Sequence, residues 1–309
     1  MPDAAISFEH SLGNMTRQEW ISEVTDLVDD HGYLTPLGRK HIATFVEDGT
    51  TLLVTFETHQ GIQTLSEQAH PLGWDMVKRA GWSHLGVISN GDTWFRDPAV
   101  YAFFDRLVDD GFFDEFDTVL FYGAGPCGYA AAAYSVAAPG AKVLAIQPQA
   151  TLDPRVTEWD KRFTEMRRVN FADRYGYAPD MLDAASETLI IFDPTETEDA
   201  MHAALFTKAG VTKLPMRNMG RILQTSLLQM DVLHALILAT GEGDLTPGRF
   251  AKLMRARRDH LPYLRRLLAK LDQQGRHTLV HALCRNVAER LQAPRFIKRL
   301  QQLTEAEDG

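Results

Sequence analysis

The amino-acid sequence predicts a three-layer α/β/α domain built on a parallel sheet, with an all-helical C-terminal segment. Three observations carry this. Short apolar runs alternate with helical stretches, the pattern of parallel strands joined by right-handed crossovers. The runs are continuous rather than alternating, as strands covered on both faces require. Beyond Arg221 every patterned stretch reads as helix. The sheet domain is therefore expected over residues 1–219 and a basic helical segment over 220–309.

The elements follow in order. Residues 16–30 form an amphipathic helix, with Thr16 and Glu19 as a capping box and Trp20, Val24 and Leu27 on one face. His31-Gly32 ends it. Six strands are expected, at 52–56, 85–89, 119–122, 142–146, 188–192 and 211–214. Helices fit 98–108, 128–137 and 198–206 between them. In such sheets ligands bind at the carboxyl ends of strands, so the loops opening near Glu57, Asn90, Gly123, Gln147, Asp193 and Pro215 are the ones to inspect. Residues 152–183 contain no clean strand and read as an insertion or lid over those ends. The C-terminal part opens with one helix over 222–240, stopped by Gly241-Glu242-Gly243. A second begins at Thr246-Pro247, with Thr as N-cap and Pro in the first turn.

Composition narrows the class. The chain has 309 residues, 45% hydrophobic and 24% charged, which is ordinary for a globular protein. No apolar run is long enough to span a membrane, and no basic region followed by an apolar core opens the chain. A cytoplasmic location is expected. The two cysteines, Cys127 and Cys284, have neither disulfide-framework nor metal spacing. No metal and no cofactor are expected. The formal net charge is −9, but residues 1–219 carry 17 Lys/Arg against 32 Asp/Glu, whereas 220–303 carry 15 against 6. The basic helices are expected to dock on the acidic domain by charge complementarity. A nucleic-acid partner is disfavoured, a small molecule or a partner protein is expected, and the oligomeric state is open.

The most informative stretch is Val119-Leu-Phe-Tyr-Gly-Ala-Gly-Pro-Cys-Gly-Tyr-Ala-Ala-Ala-Ala133. It reads as a buried strand, a glycine-dense turn and a small-residue helix. This is the form of a nucleophile elbow, in which a strained turn lifts a reactive side chain above the sheet. Tyr122-Gly123-Ala124-Gly125-Pro126-Cys127-Gly128-Tyr129-Ala130-Ala131 resembles the Tyr-Gly-x-Ser-Met-Gly-Gly-Tyr-x-Ala elbow of a group of bacterial α/β-hydrolase-fold chains. Ile146-Gln-Pro-Gln149 resembles their Ser-Pro-Gln segment after the next strand. Leu53-Val-Thr-Phe56 and Asp92-Thr-Trp-Phe95 match more loosely, so the resemblance covers roughly residues 45–220. It implies an α/β-hydrolase fold whose activity rests on a nucleophile, an acid and a histidine in that chain order.

This sequence departs from that pattern where chemistry is concerned. The serine position is Gly125 and the glycine two residues on is Cys127. Asp193, after the fifth strand, stands at the acid position, with Asp199 one turn later. The loop 215–221 has no histidine, and Arg221 stands about where the base would be; a guanidinium stays protonated and cannot act as one. The expected function is a catalytically degenerate hydrolase-like protein that binds a small anionic or acyl ligand, or a partner protein. Gly123, Gly125, Gly128, Tyr129, Gln149 and Arg221 are its candidate ligand-binding residues. The helix N-terminus behind the turn favours an anion, although Pro126 lacks an N–H. The alternative is an acyl-ester or thioester hydrolase using Cys127 as nucleophile with Asp193 as acid.

The chain is also similar to sequences labelled phosphoadenosine phosphosulfate reductase, a second alternative that rests on that label alone. That family implies a Ser-Gly-Gly-x-Asp-Ser phosphate loop and a redox cysteine in Glu-Cys-Gly-x-His. Neither motif is present: Ser89-Asn-Gly-Asp92 is a poor counterpart of the loop, and Cys284 lies in Leu-Cys-Arg-Asn. Gly-Ala-Gly-Pro-Cys-Gly is not a dinucleotide fingerprint either, because it follows the third expected strand and no acid closes the next one.

Overall fold

The computed structural model describes residue 8 and residues 10–308. Eight strands form one sheet: β1 (Gly32–Leu37), β2 (His41–Val46), β3 (Thr51–Thr58), β4 (Ser83–Ser89), β5 (Thr118–Ala124), β6 (Lys142–Ile146), β7 (Glu187–Phe192) and β8 (Val211–Pro215). Their order is β1-β2-β4-β3-β5-β6-β7-β8. β2 runs antiparallel to both β1 and β4, and the other pairs are parallel. This is the α/β-hydrolase fold. The six strands expected from apolar runs are β3 to β8. The first two form a hairpin that the sequence reading missed.

The helices are α1 (Arg17–Val28), α2 (His59–Leu65), α3 (Leu72–Ala80), α4 (Pro98–Asp109), α5 (Pro126–Tyr134), α6 (Pro154–Thr157), α7 (Thr197–Leu205), α8 (Leu223–Gln229), α9 (Leu233–Gly241), α10 (Pro247–Leu253), α11 (Leu261–Gln273), α12 (His277–Leu291) and α13 (Pro294–Asp308). The capping box of Thr16 and Glu19 is formed at the start of α1. Side chains alternate across the sheet, so each strand feeds two cores. Val54, Phe56, Phe121, Val143 and Ile190 pack with α4 and α5 on one face. Leu53, Leu120, Leu144, Ile191 and Leu214 pack with α8, α9 and α10 on the other.

Two boundaries differ from expectation. The helix expected over 222–240 is two, α8 and α9, because the chain turns at Asp231, whose φ is 54°. The division at residue 219 is not where the packing divides. Leu223, Leu227, Leu233, Leu236, Phe250 and Met254 belong to the sheet's own core, and a separate apolar cluster begins only with α11 to α13. Leu264, Leu268, Val280, Cys284, Val287 and Phe296 fill it.

The basic segment docks less by ion pairing than its charge suggests. Arg249 pairs with Asp244, Arg290 with Asp259 and Arg299 with Asp272, all within the segment. Helices α8 to α10 are held to the sheet through its apolar core, whereas α11 reaches the sheet domain by hydrogen bonds at the 216–220 loop. Arg266 donates to the Met219 carbonyl, and Lys270 Nζ lies 2.8 Å from Asn218 Oδ1. Among the described residues no helix is long and apolar enough to cross a membrane.

Residues 152–183 contain no strand, only α6 and short 3-10 turns at 164–168 and 178–182. Phe171, Tyr175, Ala178 and Leu182 anchor the insertion in the core. Arg162 and Phe163 remain at the carboxyl ends of the strands, as walls of a cleft.

Candidate functional site

The turn between β5 and α5 is a sharp strand-to-helix bend. Gly125 sits between strand and helix at φ 58° and ψ −125°, a backbone region costly for any residue with a side chain. Its N–H donates to the Ile146 carbonyl at 2.8 Å, and its carbonyl accepts from Tyr129 N–H at 3.0 Å. A Cβ built on Gly125 would meet nothing within 4 Å. The backbone therefore presents position 125 to open space.

Gly123 and Gly128 serve the packing. A Cβ at Gly123 would overlap the Cys127 carbonyl, and one at Gly128 would lie 3.1 Å from the Gly123 and Ile146 carbonyl oxygens. These two glycines let α5 approach β5 and β6, and neither lines the cleft. Tyr129 is also placed away from it. Its ring is buried and its hydroxyl donates to the Tyr175 carbonyl at 2.5 Å, tying α5 to the insertion.

The cleft above Gly125 has a volume of about 280 Å³ and is lined in part by Pro126, Gln147, Gln149, Arg162, Asp199 and Arg221. Gln147 Nε2 donates to Asp199 at 2.6 Å, and its Oε1 accepts from Leu223 N–H at 3.0 Å. Arg162 bridges Asp160 at 2.8 Å and Asp199 at 2.5 Å. Arg221 turns to Glu196, at 2.7 Å, and Glu198. Both guanidiniums are thus met by carboxylates. Gln149 is 3% exposed, and its Nε2 donates to the Gln147 carbonyl at 3.2 Å. Its Oε1 is buried without a hydrogen-bond partner among the described residues.

Asp193, expected at the acid position, has its carboxylate fully engaged. Asp193 is fully buried. It accepts from Thr195 N–H at 2.8 Å, Thr195 Oγ1 at 2.7 Å, Asn218 N–H at 3.2 Å and Gly220 N–H at 2.7 Å. The last two donors belong to loop 216–220, so Asp193 holds that loop directly. No histidine lines the cleft at Gly125 or the cavity at Cys127.

The chain's buried His–Asp pair lies elsewhere. His202 Nδ1 accepts from Ala150 N–H at 3.1 Å, which places the ring proton on Nε2, 2.9 Å from Asp160 Oδ2. Burial depresses the imidazole pKa against the opposing effect of Asp160. Despite its own burial, hydrogen bonds from His202 and Arg162 hold the Asp160 carboxyl well below the usual range. Both ring nitrogens are engaged, so the pair pins α7 to the insertion.

Cys127 lines a second cavity of about 180 Å³ with Glu57, Asp92, Pro126 and Gln224. Burial, with the Glu57 and Asp92 carboxylates nearby, pushes its thiol far above the ordinary range. A reactive cysteine needs the opposite environment.

Sequence reasoning marked the loop at Glu57 but not Glu57 as a site residue. This carboxyl lies at the end of β3, accepting from Thr55 Oγ1 at 2.9 Å and Leu72 N–H at 3.2 Å. Burial pushes it up to about 7. A carboxylate ending an otherwise apolar strand was the available signal. Gln147, Arg162 and Gln224 were also missed, since nothing local marks them. Among the described residues no group of three His, Cys, Asp or Glu side chains could hold a metal ion. Cys284 is fully buried in the C-terminal helical cluster.

Neither a protein-family profile nor a curated protein sequence matches the chain. Solved structures do. A thermostable carboxylesterase, EstE1, from a metagenomic library is 14% identical, over 78% of this chain and 98% of that one, with a TM-score of 0.43. A hormone-sensitive lipase from a metagenome library is 16% identical, over 74% and 91%, with a TM-score of 0.42. A chain of the glycosylation-associated Gap123 complex of Streptococcus agalactiae is 11% identical over 69% of this chain, with a TM-score of 0.45; the match spans 47% of that chain.

Proposed function

We propose that this chain is a non-hydrolytic α/β-hydrolase-fold protein that uses the cleft at its strand ends to bind a small molecule. The carrying observation is Gly125: the backbone takes an elbow conformation that glycine adopts without strain, with open space where a nucleophile would project. Three further features agree. Pro126 has no N–H, so it cannot supply the oxyanion donor that normally follows the nucleophile. Asp193 is spent on loop 216–220. Cys127 sits in surroundings that hold it as a thiol. The anionic ligand suggested by the helix N-terminus is disfavoured, because Arg162 and Arg221 are already paired with carboxylates.

The test is turnover of short p-nitrophenyl esters and thioesters by the wild-type chain and by Cys127→Ala. Both are expected to match the uncatalysed rate. A rate in the wild type that Cys127→Ala abolishes would overturn the proposal in favour of a thiol hydrolase.

A further inference from the structure

The cleft above Gly125 keeps hydrogen-bonding capacity that the protein itself does not use. Gln149 lines this cleft and is 3% exposed. Its Nε2 donates to the Gln147 carbonyl at 3.2 Å. A carbonyl can only accept, so that contact fixes which way the amide points. The Oε1 on its other side is buried and has no hydrogen-bond partner among the described residues. A buried acceptor left without a donor is costly, and a native site that keeps one is accounted for by a ligand that brings the donor. The groups around Gln149 are spent only in part. Gln147 Nε2 gives one of its two N–H groups to Asp199. Arg162 gives three of its five to Asp160 and Asp199. Asp199 accepts one bond on each oxygen and has lone pairs for more.

These properties select a ligand. It carries a donor, for Gln149 Oε1. It is uncharged: Arg162 and Arg221 are already met by Asp160, Asp199, Glu196 and Glu198, so an added charge would arrive without a counter-charge. Its polar groups point in several directions, because those of the cleft come from three parts of the chain. Gln147 and Gln149 follow β6, Arg162 belongs to the insertion and Asp199 to α7. A planar amide or base offers donors and acceptors only along its edge. A ring with hydroxyls around its rim reaches all three sides, and each hydroxyl both donates and accepts. The C–H faces of such a ring have apolar surface to rest on, from Pro126, Phe163 and Leu223. Phe163 is itself braced edge-on by Trp94, with ring centroids 4.8 Å apart. At about 280 Å³ the cleft is at the small end for ligand sites and suits one ring rather than a chain of them.

We propose that the cleft above Gly125 binds a single uncharged pyranose sugar, with one hydroxyl donating to Gln149 Oε1 and its neighbours shared among Gln147, Arg162 and Asp199. This rests on the reading of that cleft as a non-hydrolytic binding site and names its ligand class. The bare turn at Gly125 fits the same picture, because a Cβ there would enter open space and glycine leaves that space to the ligand.

The experiment titrates the full chain calorimetrically with glucose, galactose, mannose and N-acetylglucosamine, and with glucuronate, glucosamine and cyclohexanol for comparison. At least one of the four uncharged sugars is expected to bind with a Kd of about 1 mM or tighter. The two charged sugars and cyclohexanol are expected to bind at least about tenfold more weakly than it does. Gln149→Leu removes the waiting acceptor at similar size and should weaken the sugar about tenfold, the share of one buried hydrogen bond. A readout on the wild type needs no variant to fold: the side-chain amide NMR signals of Gln147 and Gln149 should shift when the bound sugar is added. Binding of none of the four sugars, tighter binding of a charged one, equal binding of cyclohexanol, an unchanged affinity in Gln149→Leu, or unmoved amide signals would each overturn the proposal. Turnover of an acetate of the bound sugar would overturn the non-hydrolytic reading and leave sugar binding standing. No sugar binding together with no ester turnover would do the reverse, so the two readings fail separately.

Discussion

Single residues decide what this site can do, and Gly125 decides most. An enzyme with serine there accepts a strained backbone to present its hydroxyl; glycine occupies the same conformation without that strain. Gly125→Ser should therefore cost about 1–3 kcal/mol in urea denaturation, through backbone strain alone, since the added atoms enter open space. It should also fail to create esterase activity, because no histidine lines the cleft. Measurable hydrolysis by this variant would show that a base is within reach after all. Asp193→Ala should be worse, about 2–4 kcal/mol, because it orphans the buried Gly220 N–H and at the same time removes the part-buried bonds to Thr195 and Asn218. A loss under 1 kcal/mol in the same measurement would mean that loop 216–220 does not depend on this carboxylate. The sequence made Gly125 and Asp193 legible, because both stand at fixed offsets from recognisable strands. It assigned Gly123, Gly128 and Tyr129 to the ligand for the same reason. Offsets say where a residue sits along the chain but not which way it faces, and these three face the core.

At the scale of elements, what the sequence revealed and what it hid have a common cause. Strands β3 to β7 are largely buried and announce themselves as apolar runs; β8, at the sheet edge, is only partly buried but still carries a short apolar run. β1 carries only partly buried residues up to exposed Pro36, and β2 follows it after a tight turn, so neither shows a clean run. The break between α8 and α9 has no glycine or proline to signal it. The turn is made by Asp231 in the left-handed region. Glu57 illustrates how an element's end acquires a property absent from its sequence. At the end of β3 burial raises its carboxyl from an ordinary value to about 7. A raised folded-state value means the folded form holds a proton that the unfolded form gives up. The contribution to stability is thus complete below about pH 4.5 and is lost as pH rises through 7. Comparing thermal unfolding of the wild type and Glu57→Gln from pH 4.5 to 8.5 isolates this group. The wild type should lose on the order of 2–3 kcal/mol relative to the variant across that range. A constant difference between the two would refute the raised value.

For the whole molecule, the question is what the C-terminal helices do, since their basic charge first suggested docking by charge. Their inner surface has its own apolar cluster, and Arg249, Arg290 and Arg299 pair with carboxylates of the same segment. The hydrogen bonds of α11 to the sheet domain are narrower: Arg266 and Lys270 clasp loop 216–220 from outside, while Asp193 clasps it from inside. A Cβ at Gly220 would lie 2.7 Å from the Arg266 guanidinium carbon, so this clasp is closely fitted. Loop 216–220 is thus the joint between the sheet domain and a helical appendage. Two consequences follow from that geometry. A chain ending after residue 260 keeps α8 to α10, and with them the apolar cover of the sheet, so it should still unfold cooperatively. It should also keep the Glu57 cavities, whose lining residues all precede residue 235. What it loses is the outer clasp, and amide hydrogen exchange in residues 216–221 should rise well above that of the full chain while exchange in β5 and β6 stays slow. If the shortened chain instead loses its unfolding transition altogether, α11 to α13 are part of the folding unit and the joint is a core contact rather than a clasp.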